Sequence, residues 1–128
     1  HDLDRIYAEN GSKVHRQLFG NTIRHLHKNL LIQTKGLPSS GRITLLNQED
    51  KNRYVIHLLY APPLQRGRCL VIEDVPEIHG VELNINLNKK IKKAYFVNLE
   101  KEIKIEDGKS IQIKVDKFQI HEALVLEY

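Results

Sequence analysis

The chain of 128 residues carries 20 Lys and Arg against 16 Asp and Glu, with 41% hydrophobic and 28% charged residues, the proportions of a globular domain. That length gives one domain, or one domain and a piece of another, with core enough to fold without staples. The single cysteine, Cys69, excludes an intrachain disulfide and a thiolate metal cluster, and no apolar run or leading pattern suits a membrane helix or a signal peptide.

Residues 1–9 carry no usable periodicity. The chain contains no methionine and opens on His1-Asp2, which reads as an excised fragment or a processed product. Asn10-Gly11-Ser12 suits a helix start, with Ser12 or Asn10 as cap. From Lys13 to Leu30 the apolar positions Val14, Leu18, Phe19, Ile23, Leu26 and Leu30 follow the three-four spacing of one helical face. Gly20 interrupts that helix and suggests a close approach by another element. The opposite face carries Lys13, Arg16, Arg24 and Lys28, and no acidic residue occurs between Asn10 and Gln48. The net +4 therefore lies entirely in residues 1–48, where seven basic residues face three acidic ones. Such a stripe suits a solvated or partner-facing helix, and also nucleic acid.

Leu31 to Lys35 reads as a short extended segment, and Gly36-Leu37-Pro38-Ser39-Ser40-Gly41 as the clearest linker, with the β region after it. Arg42 to Asn47 is a predicted strand and Gln48 to Asn52 its hairpin turn. The run Tyr54 to Tyr60 is apolar on both parities except at His57, the pattern of a central strand covered on both faces, and Pro62-Pro63 stops it. Leu64 to Arg68 reads as a loop, Cys69 to Ile72 as a strand, and Glu73 to Gly80 as a proline-broken connection. Val81 to Leu87 alternates strictly, as a half-buried strand does. Asn88-Lys89-Lys90 turns the chain. Further strands are predicted over Ile91–Val97, around Ile103 and Ile105, over Ser110–Val115 and over Glu122–Tyr128, with Asp107-Gly108 as a hairpin signal. The fold class is mainly β: an antiparallel β-sandwich of about seven to eight strands preceded by one amphipathic α-helix.

The residues that could carry chemistry are few. His25 and His27 diverge on a helix, His57 stands alone in the central strand, and His79 and His121 fall in predicted loops, so no metal-ligand spacing exists. Glu73-Asp74 is an acidic pair, but neighbours on an extended chain point to opposite sides and cannot flank one bond. Lys89-Lys90-Ile91-Lys92-Lys93 suits phosphate, and equally a turn and a lysine-protected strand edge. Cys69, in an apolar run without a partnered histidine, is expected to be buried and inert. No glycine-rich phosphate loop and no serine nucleophile motif occurs. No catalytic, cofactor-binding or metal residue is assigned.

Several stretches carry a family likeness: Gly11-Ser12-Lys13-Val14-His15-Arg16-Gln17-Leu18-Phe19, His57-Leu58-Leu59-Tyr60-Ala61-Pro62-Pro63, Val71-Ile72-Glu73-Asp74-Val75-Pro76, Lys93-Ala94-Tyr95-Phe96-Val97 and His121-Glu122-Ala123-Leu124-Val125-Leu126-Glu127-Tyr128. Together they resemble the C-terminal end of large bacterial glycoside-hydrolase-like proteins related to the trimerising β-galactosidases. The resemblance spans nearly the whole chain and is one of scaffold. It implies that residues 1–31 are a helical tail closing a flavodoxin-like trimerisation domain, and that residues 32–128 form a C-terminal β-sandwich domain. It also implies that the catalytic glutamates sit in a barrel outside this sequence, so none is carried over here.

Three functions follow as expectations. The first is a non-catalytic accessory domain of a galactosidase-like hydrolase. Its partners would be the parent's barrel and trimerisation domain, or a second chain meeting the stripe Val14, Leu18, Phe19, Ile23 and Leu26. The second is a carbohydrate-binding module, which needs exposed aromatics; the chain has no Trp, and Tyr54, Tyr60 and Tyr95 lie in predicted core strands. The third is a nucleic-acid binder using the Lys13–Lys28 face.

Overall fold

The structure, a computed structural model, describes residues 2–105 and 110–128; the Asp107-Gly108 hairpin signal lies outside the described residues. The chain divides into two compact units, His1–Leu31 and Ile32–Tyr128.

The first unit holds α1 (Leu3–Asn10) and α2 (Lys13–Leu26). The shorter helix lies where the sequence offered no periodicity. Its Arg5 pairs locally with Asp2 and Glu9, and Gly11 ends it in the left-handed region (φ 60°), donating its N–H to the Tyr7 carbonyl. Ser12 takes the N-cap position of α2, but its hydroxyl makes no capping bond. The second helix stops at Leu26, short of the predicted Leu30. His25, His27 and Asn29 are weak helix formers, and one further leucine does not offset them. Gly20 marks no close approach: a methyl group there would meet only the Arg24 guanidinium, at 3.8 Å.

The second unit is a β-sandwich. Its strands are β1 (Ile32–Lys35), β2 (Arg42–Gln48), β3 (Arg53–Tyr60), β4 (Leu64–Arg66), β5 (Cys69–Val71), β6 (Ile78–Ile85), β7 (Lys93–Phe96), β8 (Lys101–Ile103), β9 (Ile111–Phe118) and β10 (Ile120–Glu127). One sheet has the order β1-β6-β9, the other β2-β3-β10-β7-β8, and all pairs are antiparallel. Ile56 and Leu58 of β3, Leu124 and Leu126 of β10, Val81, Leu83 and Ile85 of β6, and Ile113 and Val115 of β9 close one core between them.

Among the described residues ten strands form, more than turn spacing alone suggested. β4 lies where Leu64–Arg68 read as a loop, and pairs with β5 in a separate two-stranded hairpin. β1 pairs with β6, so the Gly36–Gly41 stretch carries the chain from one sheet to the other within the β unit and is not a linker ahead of it. β6 begins inside the proline-broken segment, at Ile78. Ile78 and Val81 both face the core although three apart, because Gly80 (φ 64°) switches the chain's face between them. β7 is shorter than predicted, Lys93–Phe96, while Ile91 still reaches the core. Ile105 follows β8 rather than belonging to it, because the pairing with β7 ends at Ile103. On one face of the central strand β3, Ile56 and Leu58 are fully buried between half-buried Tyr54 and Tyr60. On the other face Val55 is buried with Ala123 and Val125 against Tyr95, while Leu59 stays exposed.

Candidate functional site

Of the acidic pair the sequence brought forward, Asp74 is exposed and Glu73 is held by a neighbouring side chain, as are Glu77 and Asp116, which the sequence did not single out. Glu73 accepts two bonds from Arg66, from Nε at 2.9 Å and Nη2 at 2.7 Å, which tie the turn end of β4 to the segment after β5. Glu77 accepts from Lys117 at 2.9 Å, and that bond holds its carboxyl below the usual range. Asp116 of β9 accepts from Lys101 of β8 at 2.7 Å, which depresses its carboxyl in the same way and ties the two sheets together.

Cys69 is exposed, contrary to the buried thiol expected. The β4–β5 hairpin packs as a sheet of its own, so its apolar residues Leu64, Leu70 and Ile72 also stand in solvent. Within the lysine cluster, Lys90, Lys92 and Lys93 line a groove of about 830 Å³ with Ile91, Ile103 and Glu102. Two members of the cluster lie over aromatic rings: Lys89 over Tyr128 at 5.4 Å and Lys93 over Tyr95 at 5.5 Å. Tyr54 packs on Tyr128 with ring centroids 5.0 Å apart and, like Tyr60, lies against the core. The three tyrosines named as a stacking platform are thus divided between the two faces of one sheet.

His79 and His121 sit in β6 and β10 rather than in loops. His57 of β3 meets His121, His57 Nδ1 to His121 Nε2 at 2.9 Å with the rings stacked, a pair separated by 64 residues. Among the described residues no three His, Cys, Asp or Glu side chains gather as metal donors.

Two arrangements were missed altogether. Glu122, 1% exposed, points to the inner face across from Leu58, and its Oε1 accepts the N–H of Asn98 at 2.9 Å and of Ala123 at 2.8 Å. The Asn98 side chain in turn donates to the His121 carbonyl at 2.8 Å, so the carboxylate fixes the turn after β7. The outer face of the three-stranded sheet forms the second. Strand register sets Gln33, Asn84 and Gln112 in one cross-strand row and Lys35, Glu82 and Lys114 in the next. The two rows line a groove of about 530 Å³. Lys35 and Glu82 pair at 3.4 Å, and Asn84 Oδ1 is buried without a hydrogen-bond partner. The only trace in the sequence was the polar half of three alternating strands, which does not reveal which strands adjoin.

The first unit presents its apolar stripe openly. Val14 is 70% exposed, Phe19 58% and Leu26 79%, and no residue of α2 is buried.

No family model matches the sequence, and no curated protein matches it. Among solved structures the chain is similar to alpha-L-fucosidase isoenzyme 2 from Paenibacillus thiaminolyticus, at 31% identity and a TM-score of 0.89. The likeness covers 98% of this chain and 20% of that one, so the chain spans about one fifth of that protein's length. This supports a domain related to glycoside hydrolases and does not single out the β-galactosidases.

Proposed function

We propose that this glycoside-hydrolase-related domain is a non-catalytic accessory module of a larger hydrolase, with a packing role in the parent enzyme. The observation that carries the reading is the likeness to one fifth of a fucosidase over nearly all of this chain. The side chains support it: Glu73, Glu77 and Asp116 are engaged by cations, and Glu122 by backbone amides. Glycoside hydrolysis asks instead for two carboxyls flanking one bond.

Under this reading α2 is the closing helix of a preceding domain, and Val14, Leu18, Phe19, Ile23 and Leu26 pack into that domain. Burying five such side chains is worth on the order of 1.5–3 kcal/mol each, which makes a partner for the stripe favourable. The parent's substrate is an α-L-fucoside if it follows the structural neighbour's name, and a β-galactoside if it follows the resemblance read from the sequence.

The test is an assay of the purified 128-residue protein on aryl α-L-fucosides and aryl β-galactosides. No turnover is expected from it. Turnover that co-purifies with the chain and disappears with it would overturn the reading. The open reading frame around this segment gives a second check, since the accessory role requires a catalytic barrel in the same protein.

A further inference from the structure

We infer that the outer face of the three-stranded sheet β1-β6-β9 is a contact site for a neutral, hydroxyl-rich ligand, a saccharide. Antiparallel register puts Gln33, Asn84 and Gln112 side by side across the strands. With strands about 4.8 Å apart, the three carboxamides form a row roughly 10 Å long. Each carboxamide offers a donor and an acceptor, and a sugar hydroxyl does the same, so a row of amides complements a row of hydroxyls. The second row, Lys35, Glu82 and Lys114, alternates donor, acceptor and donor along the same groove of about 530 Å³.

Asn84 Oδ1 gives the site its direction. It is a buried acceptor at the middle of the first row with no donor on it. Buried polar atoms are normally satisfied, and a turn of the Asn84 carboxamide toward the groove would let a ligand O–H satisfy this one. Charge favours a neutral ligand over a strongly anionic one, because the Glu82 carboxylate stands between Lys35 and Lys114 in the row and pairs with Lys35 at 3.4 Å. Chemistry favours a polyol over an apolar segment, because Leu83 and Ile113 turn their side chains into the core and leave polar groups outside.

The site lacks a stacking ring, so affinity is weak, in the millimolar range. Within the accessory-domain reading, on which the biological use of this site rests, weak binding suffices. A module tethered to a catalytic domain raises the local concentration of substrate without tight binding.

The experiment is ¹⁵N NMR on the purified 128-residue protein titrated with lactose, with a fucosylated lactose trisaccharide, and separately with inorganic phosphate. The side-chain NH₂ signals of Gln33, Asn84 and Gln112 report directly on the row. Saturable shifts are expected at these signals and along β1, β6 and β9 with at least one of the two sugars. They should vanish in the double variant Gln33→Ala, Gln112→Ala, whose positions are exposed. Should that variant lose its native spectrum, Gln33→Ala alone, on the edge strand, must weaken the response. Absence of saturable shifts with both sugars at millimolar concentration overturns the site, as does a response to phosphate alone or one unchanged by the substitutions. None of these outcomes touches the accessory reading, which a parent barrel would still support without any sugar on this face.

Discussion

Leu58 lies at the centre of the β unit, fully buried on β3 and facing Glu122 across to β10. Leu58→Ala should lower unfolding free energy by about 2–5 kcal/mol, through lost burial and the cavity left behind, as read from a urea transition. A change below about 0.5 kcal/mol would remove β3 from the core. Ile120 is informative for the opposite reason. It holds φ 61° while roughly half exposed, a conformation that β-branched residues avoid. The chain crosses there from β9 in one sheet to β10 in the other, and His121 N–H bonds to the Gln119 carbonyl at 2.6 Å within the crossing. Ile120→Gly should therefore be more stable than Ile120→Ala by about 1–2 kcal/mol, the left-handed penalty of a Cβ. Equal midpoints for the two variants would show that the backbone there is not strained. Neither residue's role was legible in full: a continuous apolar run placed Leu58 in a central strand without fixing its face, whereas nothing in the local sequence announces a left-handed isoleucine.

Between elements, Lys101 and Asp116 join β8 to β9 and so link the two sheets, and Lys117 holds Glu77 just before β6. Both carboxyls lie below their ordinary values, first through the lysine hydrogen bond. Unfolding then takes up protons as pH falls, so the stabilisation is present above the ordinary carboxylate range and is lost on acidification below about pH 4. The pairs are exposed, so salt should shrink the effect. The expected result is a urea midpoint that falls with pH in this range, and a shallower fall in Lys101→Met. An unchanged slope in that variant would mean the pair does not couple to folding. Elements also show where local reading stops. The alternation Val81 to Leu87 found most of β6, yet the segment before it looked like a loop because Pro76 and Gly80 break periodicity. Gly80 in fact preserves core contact by switching faces.

At the scale of the molecule, the units His1–Leu31 and Ile32–Tyr128 set up the broadest prediction. A chain lacking residues 1–31 should unfold in one cooperative step, since both sheets and their shared core lie in the second unit. Loss of the cooperative transition would mean that the helices belong to the β domain. The sequence by itself determined the strand-rich class, the amphipathic helix with its apolar stripe, and the alternation that turns Val81, Leu83 and Ile85 of β6 inward. Those are properties of spacing along the chain, and periodicity records them. Only the tertiary structure decided that β1 joins the sheet of β6 across a glycine- and proline-rich stretch, that Cys69 is exposed on a separate hairpin, and that His57 meets His121. It alone aligned Gln33, Asn84 and Gln112. Strand partners are chosen by how distant segments close a common core, and a one-residue shift of register would turn each of these side chains to the other face.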